Sequence, residues 1–276
     1  MRVKFVFGKI FFGLKIVYKV LNQIVRLIFL VFVLYSIAFS LACTYAAWKA
    51  YEYGKEFLAK VEELKDTNPE QSAFMKDLRE ATHRKIKHTF VPLDSISIYL
   101  QKAVIAGEDA GFYFHPGFDV RAIAEALEIN QKRNRTIFGA STITQQLAKN
   151  LFLTNKRSWW RKFEEFGYAL LMEKYLGKDR ILELYINYAQ WGADIFGCEE
   201  AALHYYKKSC SKLSIDQSVN LAAMLASPGK RNPESKESRF MRERRNMIYR
   251  NMFPPKDSIM VDSLKSLTAP LDVEYP

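Results

Sequence analysis

Two glutamates with apolar neighbours are the residues of this sequence whose types and positions best fit chemistry. Glu108 ends the apolar stretch ISIYLQKAVIAGE, and a loop rich in aromatic residues and glycine follows it. A carboxylate at the end of an apolar helix is partly desolvated, which raises its pKa toward the range of a general base. Glu165 lies one helical turn after Arg161 and precedes the apolar stretch FGYALLMEKYL. Taken alone, Glu108 could be a solvated acid at a helix end, and Glu165 could be half of a surface ion pair with Arg161.

A second set of residues is suited to bind an anion. Residues 139–150, with the sequence GASTITQQLAKN, place hydroxyls and amides on the first turns of a helix. The free N–H groups and the positive dipole end of such a helix favour an anion such as phosphate. Lys149 follows two turns later and Arg157 lies just past the helix, so both could supply positive charge. The alternative is an ordinary capped helix with solvated cations.

Two further stretches carry weaker signals. Residues 178–187, KDRILELYIN, predict an amphipathic helix whose isoleucine, leucine and tyrosine face packs on the core. Arg244 and Arg245 lie on a basic last helix and indicate little by themselves.

The elements that must position these residues are mostly helices, because apolar residues recur at helical spacing and alternating runs are scarce. Thr142 and Ser214 each begin a capping box, and Asp179 is placed to cap the helix after it. We predict a juxtamembrane helical linker over residues 48–89, a mainly α domain over 90–253 and a loose tail over 254–276.

Residues 27–47 form an uncharged apolar run of 21 residues. At about 1.5 Å per residue a helix of this length spans roughly 30 Å, the thickness of a bilayer core. A buried core helix or a cleaved signal peptide are the alternatives, but the run is long for either. Residues 1–26 contain six basic residues and no acid, which predicts a cytoplasmic tail and places the chain after Trp48 outside the plasma membrane.

The charge balance points to an anionic partner. The net charge is +11 and the pI about 9.4, which fits nucleic acid, an anionic membrane surface or a phosphorylated substrate. The six basic residues of the N-terminal tail account for more than half of that excess.

Three cysteines give no common zinc pattern. Cys43 lies inside the apolar run. Cys198 and Cys210 would lie in an oxidising compartment, where a disulfide and two buried free thiols are equally plausible.

The order, spacing and types of these residues together resemble the glycosyltransferase domain of peptidoglycan polymerases. Bifunctional penicillin-binding proteins and monofunctional peptidoglycan transglycosylases share that domain. Five motifs carry the resemblance: ED-x-x-F-x-x-H-x-G-x-D, G-x-STITQQL-x-KNL, RK-x-x-E, a KDRILE-x-Y-x-N helix and a basic RR helix. It covers residues 90–253, and GASTITQQLAKNL is its most specific part. About 23 residues follow, too few for a transpeptidase domain, which favours the monofunctional type.

The resemblance implies a lysozyme-like helical domain with a smaller membrane-facing lobe, next to the transmembrane helix. It implies polymerisation of lipid II into β-1,4-linked glycan strands, with inversion and release of undecaprenyl pyrophosphate. Glu108 would be the base for the acceptor 4-hydroxyl, and Lys149 and Arg157 would bind the leaving pyrophosphate. Glu165 matches the second glutamate of the family. It could bind a cation, orient Lys149 or Arg157, or assist departure.

The resemblance also implies a set of site residues and partners. No cofactor is obligatory, although Mg²⁺ or Mn²⁺ bridging Glu165 and pyrophosphate is plausible. The expected partners are lipid II, the growing glycan, the phospholipid membrane and transpeptidases or other cell-wall synthases, and no nucleic acid. Phe152, Trp159 and Trp160 would lie at the membrane interface or in the core. The expected substrate-binding residues are Asp109, Phe112, His115, Ser141, Thr142, Gln145, Gln146, Lys149, Asn150, Arg157, Arg161, Lys162 and Glu183.

Two other classes of protein remain as alternatives. A membrane-bound lytic glycosidase would also use carboxylates in an α domain. A non-catalytic scaffold of cell-wall assembly would keep the fold alone. Lys149 and Arg157 disfavour the glycosidase, because cleavage of a neutral glycosidic bond needs no cationic site for the leaving group.

Overall fold

The computed structural model describes residues 2–133, 141–153, 159–233 and 238–254. These residues confirm the mainly α fold, because their only regular sheet is one pair of two-residue strands. The helices are α1 Arg2–Glu63, α2 Ala73–Thr82, α3 Ile98–Glu108, α4 Val120–Arg133, α5 Ile143–Phe152, α6 Trp159–Tyr175, α7 Lys178–Tyr188, α8 Cys198–Tyr206, α9 Ile215–Met224 and α10 Arg239–Met252. The strands are β1 Lys87–His88 and β2 Ile195–Phe196, and 3-10 turns cover Leu93–Ser95, Phe112–Phe114 and Cys210–Lys212.

The chain divides into two compact units, and the first is Met1–Phe57. It contains most of α1, which is long and apolar enough to cross a membrane, and its most apolar window is not buried by other parts of the protein. Ser36, Ser40 and Thr44 each donate a hydroxyl hydrogen bond of 2.8–2.9 Å to the carbonyl four residues back. These bonds satisfy the polar groups inside the helix, as a bilayer environment requires.

The second unit begins at Leu58. The end of α1 and the residue that follows it already belong to the core of this unit, because Val61 and Leu64 are buried. Met75 of α2 is fully buried, and β1 pairs in parallel with β2. Part of the predicted linker over 48–89 therefore lies within the compact domain, which starts well before residue 90.

The core of this unit forms around α3 and α5. α3 packs against α9 and α10, and α5 packs against α2, α6 and α7. Buried apolar side chains fill the space between them, and each contributes roughly 1.5–3 kcal/mol on burial. Among the largest are Trp191, Tyr185, Tyr188, Phe112 and Phe196.

The helix starts test the predicted caps. Thr142 and Ser214 both form complete capping boxes, with Gln145 and Gln217 respectively. The prediction for Asp179 is wrong. α7 begins one residue earlier at Lys178, and its N-cap is Gly177 with φ +77. Only glycine adopts that conformation without strain, so the backbone at Gly177 sets the helix start.

Candidate active site

Glu108 is the last residue of α3, an apolar helix that buries Leu100, Ala103, Val104 and Ala106. Its carboxylate therefore lies at the edge of the core, with 11% of the side chain exposed. Arg244 of α10 donates from Nη2 to Oε1 at 2.5 Å, and Gln146 of α5 donates from Nε2 to Oε2 at 3.1 Å. Burial raises the pKa of the Glu108 carboxyl, and the Arg244 charge partly opposes this shift. The predicted desolvation of this carboxyl is confirmed.

The side chain of Asp109 is buried and binds groups of the protein. Its Oδ1 lies 2.8 Å from His115 Nε2, and its Oδ2 accepts the backbone N–H of Ile143 at 3.0 Å. His115 Nδ1 accepts the backbone N–H of Gly117 at 3.2 Å, so its Nε2 carries the proton donated to Asp109. These bonds fasten the loop after Glu108 to the first turn of α5. Asp109 and His115 therefore position the site.

Three more of the expected substrate-binding residues are buried beside this loop. Thr142 caps α5 and also donates from Oγ1 to the Gly117 carbonyl at 2.6 Å. Gln145 completes the capping box, and Phe112 is fully buried beneath the Lys178 ammonium, 4.4 Å from the ring centre. In this structure their side chains stabilise the loop and the helix start, and their contact with a substrate stays a prediction.

Gln146 is oriented by a tyrosine of the KDRILE-x-Y-x-N motif, which the sequence analysis assigned only to the core-packing face of its helix. Tyr185 of α7 is buried, and its hydroxyl donates to Gln146 Oε1 at 2.9 Å. The amide nitrogen of Gln146 is thereby turned toward Glu108. Ser141 is exposed and Asn150 half-exposed at the two ends of the same helix.

A cavity of about 580 Å³ opens beside Glu108, within the size range of small-molecule sites. It is bordered by the end of α3, by α4 and by the residues that start α5. Its polar lining residues include Glu108, Asp119, Arg121, Glu125, Ser141 and Asn251.

The second glutamate lies in a group of cations. Glu165 is 3% exposed, and its Oε2 accepts from Arg161 Nη1 at 3.2 Å while Oε1 accepts from Lys162 Nζ. Lys149 is exposed at the surface, yet partial burial of its ammonium lowers its pKa; Glu165 opposes that shift, and Arg161 and Lys162 add to it. Two cations thus pair with Glu165 and the charge of a third, Lys149, lies near it, and the excess positive charge suits an anionic ligand.

A divalent cation at Glu165 stays a prediction. Both oxygens of its carboxylate are engaged by cations. Within the described ranges, no group of three or more histidine, cysteine, aspartate or glutamate side chains is placed to hold a metal.

The remaining predicted residues lie away from Glu108 and the cation cluster or outside the residues that the structure describes. Glu183 accepts the backbone N–H of Leu93 at 2.8 Å and pairs with Arg180, so it holds α7 to the turn before α3. Arg157 lies outside the described residues, as do the tail beyond residue 254 and the side chain of Trp159. Trp160 is 64% exposed, while Phe152 is half-buried.

A desolvated carboxylate and a cation cluster, held by one helical domain, fit an enzyme that transfers a group away from an anionic carrier. Residues 74–253 match the model of the transglycosylase family, and the chain belongs to this family. The family predicted from the motifs, and with it the enzyme class of glycosyltransferase, is thus confirmed.

Three similar proteins carry the name biosynthetic peptidoglycan transglycosylase. The protein of Nitrosospira multiformis is 47% identical over 166 residues, which cover 58% of this chain and 72% of the relative. That of Nitrosomonas eutropha is 38% identical over 216 residues, 76% of this chain and 85% of the relative. That of Ralstonia nicotianae is 44% identical over 178 residues, 62% of this chain and 76% of the relative.

Proposed function

We propose that this protein polymerises lipid II into β-1,4-linked peptidoglycan strands and releases undecaprenyl pyrophosphate. The observation that carries the proposal is the placement of two groups along α5. Gln146 holds the buried carboxylate of Glu108, and Lys149 lies one turn later on the same helix, where the charges of Glu165 and, more weakly, Glu108 act on its ammonium. One rigid helix thus joins a base to a cationic site.

The bond-forming step uses Glu108. The acceptor 4-hydroxyl oxygen attacks the anomeric carbon of the growing chain, and the carboxylate of Glu108 takes the hydroxyl proton. The bond from that carbon to the pyrophosphate oxygen breaks, and its electron pair leaves with the lipid pyrophosphate. A single displacement of this kind inverts the anomeric centre. A positioned base contributes about 10²–10⁴-fold to such a rate.

The leaving group meets the cation cluster. Pyrophosphate already leaves readily, so it needs compensation of negative charge more than a proton. Lys149, Arg161 and Lys162 supply positive charge, and Glu165 fixes the side chains of the two residues with which it pairs. Among the roles open to Glu165, its contacts favour orientation of cations. A contribution from Arg157 stays a prediction.

The N-terminal helix supports a membrane location for this reaction. We place residues 1–26 in the cytoplasm and the catalytic domain outside the inner membrane, because basic residues precede the apolar run and acidic residues follow it. The lipid tail of the substrate would then remain in the bilayer while its sugar reaches the site. Other cell-wall synthases are partners that fit this location.

Polymerisation of labelled lipid II by the purified full-length protein tests the proposal. We expect a polymer that lysozyme digests, and we expect Glu108→Gln to lower the rate by about 10²–10⁴-fold without unfolding the protein. Cleavage of preformed glycan with no polymer would instead establish the glycosidase alternative. Folded protein with neither activity would support the scaffold alternative.

A further inference from the structure

The last helix lies along the end of α3 and contacts three consecutive residues there. Arg244 reaches Glu108, the side chain of Ile248 faces Gly107, and Asn251 donates from Nδ2 to the Ala106 carbonyl at 2.8 Å. Residues 244, 248 and 251 are spaced four and three apart, so they form one face of α10. This face follows the chain of α3 up to the catalytic glutamate.

Gly107 permits the close approach of the two helices. A Cβ atom at this position would lie 3.2 Å from both Cγ1 and Cδ1 of Ile248 and 3.7 Å from Nη2 of Arg244. A side chain here would therefore press on the contact that brings Arg244 to Glu108.

The guanidinium of Arg244 is committed to this ion pair. Its side chain is 19% exposed, and its Nη2 lies 2.5 Å from Glu108 Oε1. Its Nε is buried and has no hydrogen-bond partner among the residues that the structure describes. The helix thus holds the cation where it serves the carboxylate, although another donor of the same group stays unsatisfied.

We propose that Arg244 is a positioning residue, which keeps Glu108 ionised and aimed so that it can accept the proton of the acceptor hydroxyl. The inference rests on the proposed role of Glu108 as the base. Arg244 of α10 supplies positive charge at Oε1 of Glu108. Gln146 of α5, held by Tyr185 of α7, donates a hydrogen bond to Oε2.

The charges around Glu108 give the direction of the effect. Burial raises the pKa of its carboxyl, Arg244 is the strongest opposing influence, and neighbouring Asp109 adds to the rise. Lys149 of α5 and Tyr185 of α7 also interact with it. A base works above its pKa. Loss of Arg244 raises that pKa further, so activity should be lost first at low and neutral pH and return as the pH increases.

The test compares pH profiles of kcat/KM for lipid II polymerisation by full-length variants in detergent. Arg244→Met should move the acidic midpoint up by about one to three pH units, the usual effect of a nearby opposite charge. It should lower kcat at least tenfold at pH 7 with little change in KM. Arg244→Lys should bring the acidic midpoint most of the way back to the wild-type value. Arg242→Met changes an exposed residue of the same helix and should give the wild-type pH profile.

An unchanged midpoint in Arg244→Met, or an equal loss at every pH, would overturn the inference while wild-type polymerisation left the proposed function intact. A second measurement does not need activity. Titration of ¹³C-labelled glutamate carboxyls, with Glu108→Gln to identify the signal, should show a higher pKa for Glu108 in Arg244→Met. If Arg244→Met shows this higher pKa but the wild-type protein makes no polymer, the proposed function is refuted and the inference about Arg244 stands. If Arg244→Met does not fold, the same titration is made on Gly107→Ala, which keeps every charge. The Cβ of this variant presses on the contact between Arg244 and Glu108, so the pKa of Glu108 should again be higher than in the wild type.

Discussion

Three carboxylates of the domain differ in what their oxygens contact, and these contacts separate their roles. Asp109 is bound by His115 and a backbone N–H, and Glu165 by two cations. Glu108 receives one donor on each oxygen and borders the cavity. An ionised carboxylate has about four acceptor positions, so Glu108 keeps room for a substrate proton. Asp109 and Glu165 also accept one donor on each oxygen, but their side chains are only 4% exposed, against 11% for Glu108. Of the three, Glu108 is therefore the carboxylate most open to a substrate.

At the second glutamate, we expect Glu165→Gln to lower the rate of polymerisation by about 10²–10³-fold, the usual cost of losing one fixed electrostatic group. A neutral amide cannot hold Arg161 and Lys162 together, and the cations would spread apart. The rate of lipid II polymerisation should fall by the same factor in Mg²⁺ and in chelator. A loss seen only in Mg²⁺ would assign a metal ion to Glu165 instead.

The matched control is Glu243→Gln. Glu243 pairs with Arg239 at the same i, i+4 spacing, but both side chains are exposed. An exposed pair of this kind contributes about 0–1 kcal/mol, so this variant should keep wild-type activity.

Among the elements, α5 carries the site. Its N-terminus is fixed by a capping box and by Asp109, and Gln146 and Lys149 lie on one face three residues apart. The helix therefore sets the distance between the base and the cation cluster. A displacement of the N-terminus of α5 would therefore move both Gln146, which holds the base, and Lys149 of the cation cluster.

Replacement of the cap of α5 tests this dependence. We expect Thr142→Ala to lower the free energy of unfolding by about 0.5–2 kcal/mol, since it removes a helix cap. The variant also loses the bond to Gly117, so the rate of polymerisation should fall as well. Ser214→Ala removes the equivalent cap of α9 and should cost similar stability while activity is retained. Equal activities in the two folded variants would show that α5 is not a positioning helix.

Which elements were predictable depended on the distance between the interacting residues. The capping boxes at Thr142 and Ser214 were predicted, because their partners lie three residues away. The pairing of β1 with β2 was not, since two-residue strands leave no periodic signal. The site shows the same limit. Glu108 was found from its apolar helix, while Arg244, 136 residues further on, carried no local sign of its partner.

For the whole molecule, the sequence predicted the mainly α class and the long apolar helix, because periodicity and hydropathy accumulate over many residues. The domain boundary was less predictable. Residues 58–89 are charged and helix-prone, yet a few of them are buried, and Arg180 binds three of this segment's carbonyl and amide oxygens at 2.7–2.9 Å. Such contacts depend on a residue more than a hundred positions away and leave no pattern in the segment itself.

The orientation across the membrane is the prediction that belongs to the whole chain. We expect a membrane-impermeant maleimide to label Ser211→Cys in intact spheroplasts and to label Lys19→Cys only after permeabilisation, because the basic tail faces the cytoplasm. Both positions are exposed.

The native thiols of the domain should give little background in this experiment. Cys198 and Cys210 are free and fully buried, and burial raises the pKa of the Cys198 thiol well above its ordinary range. Because both thiols are buried, both should label only after unfolding, and without added reductant. Unfolded protein that labels only after reduction would reveal a disulfide between them. Labelling of Lys19→Cys in intact spheroplasts would reverse the proposed topology, and the catalytic domain would then lie in the cytoplasm.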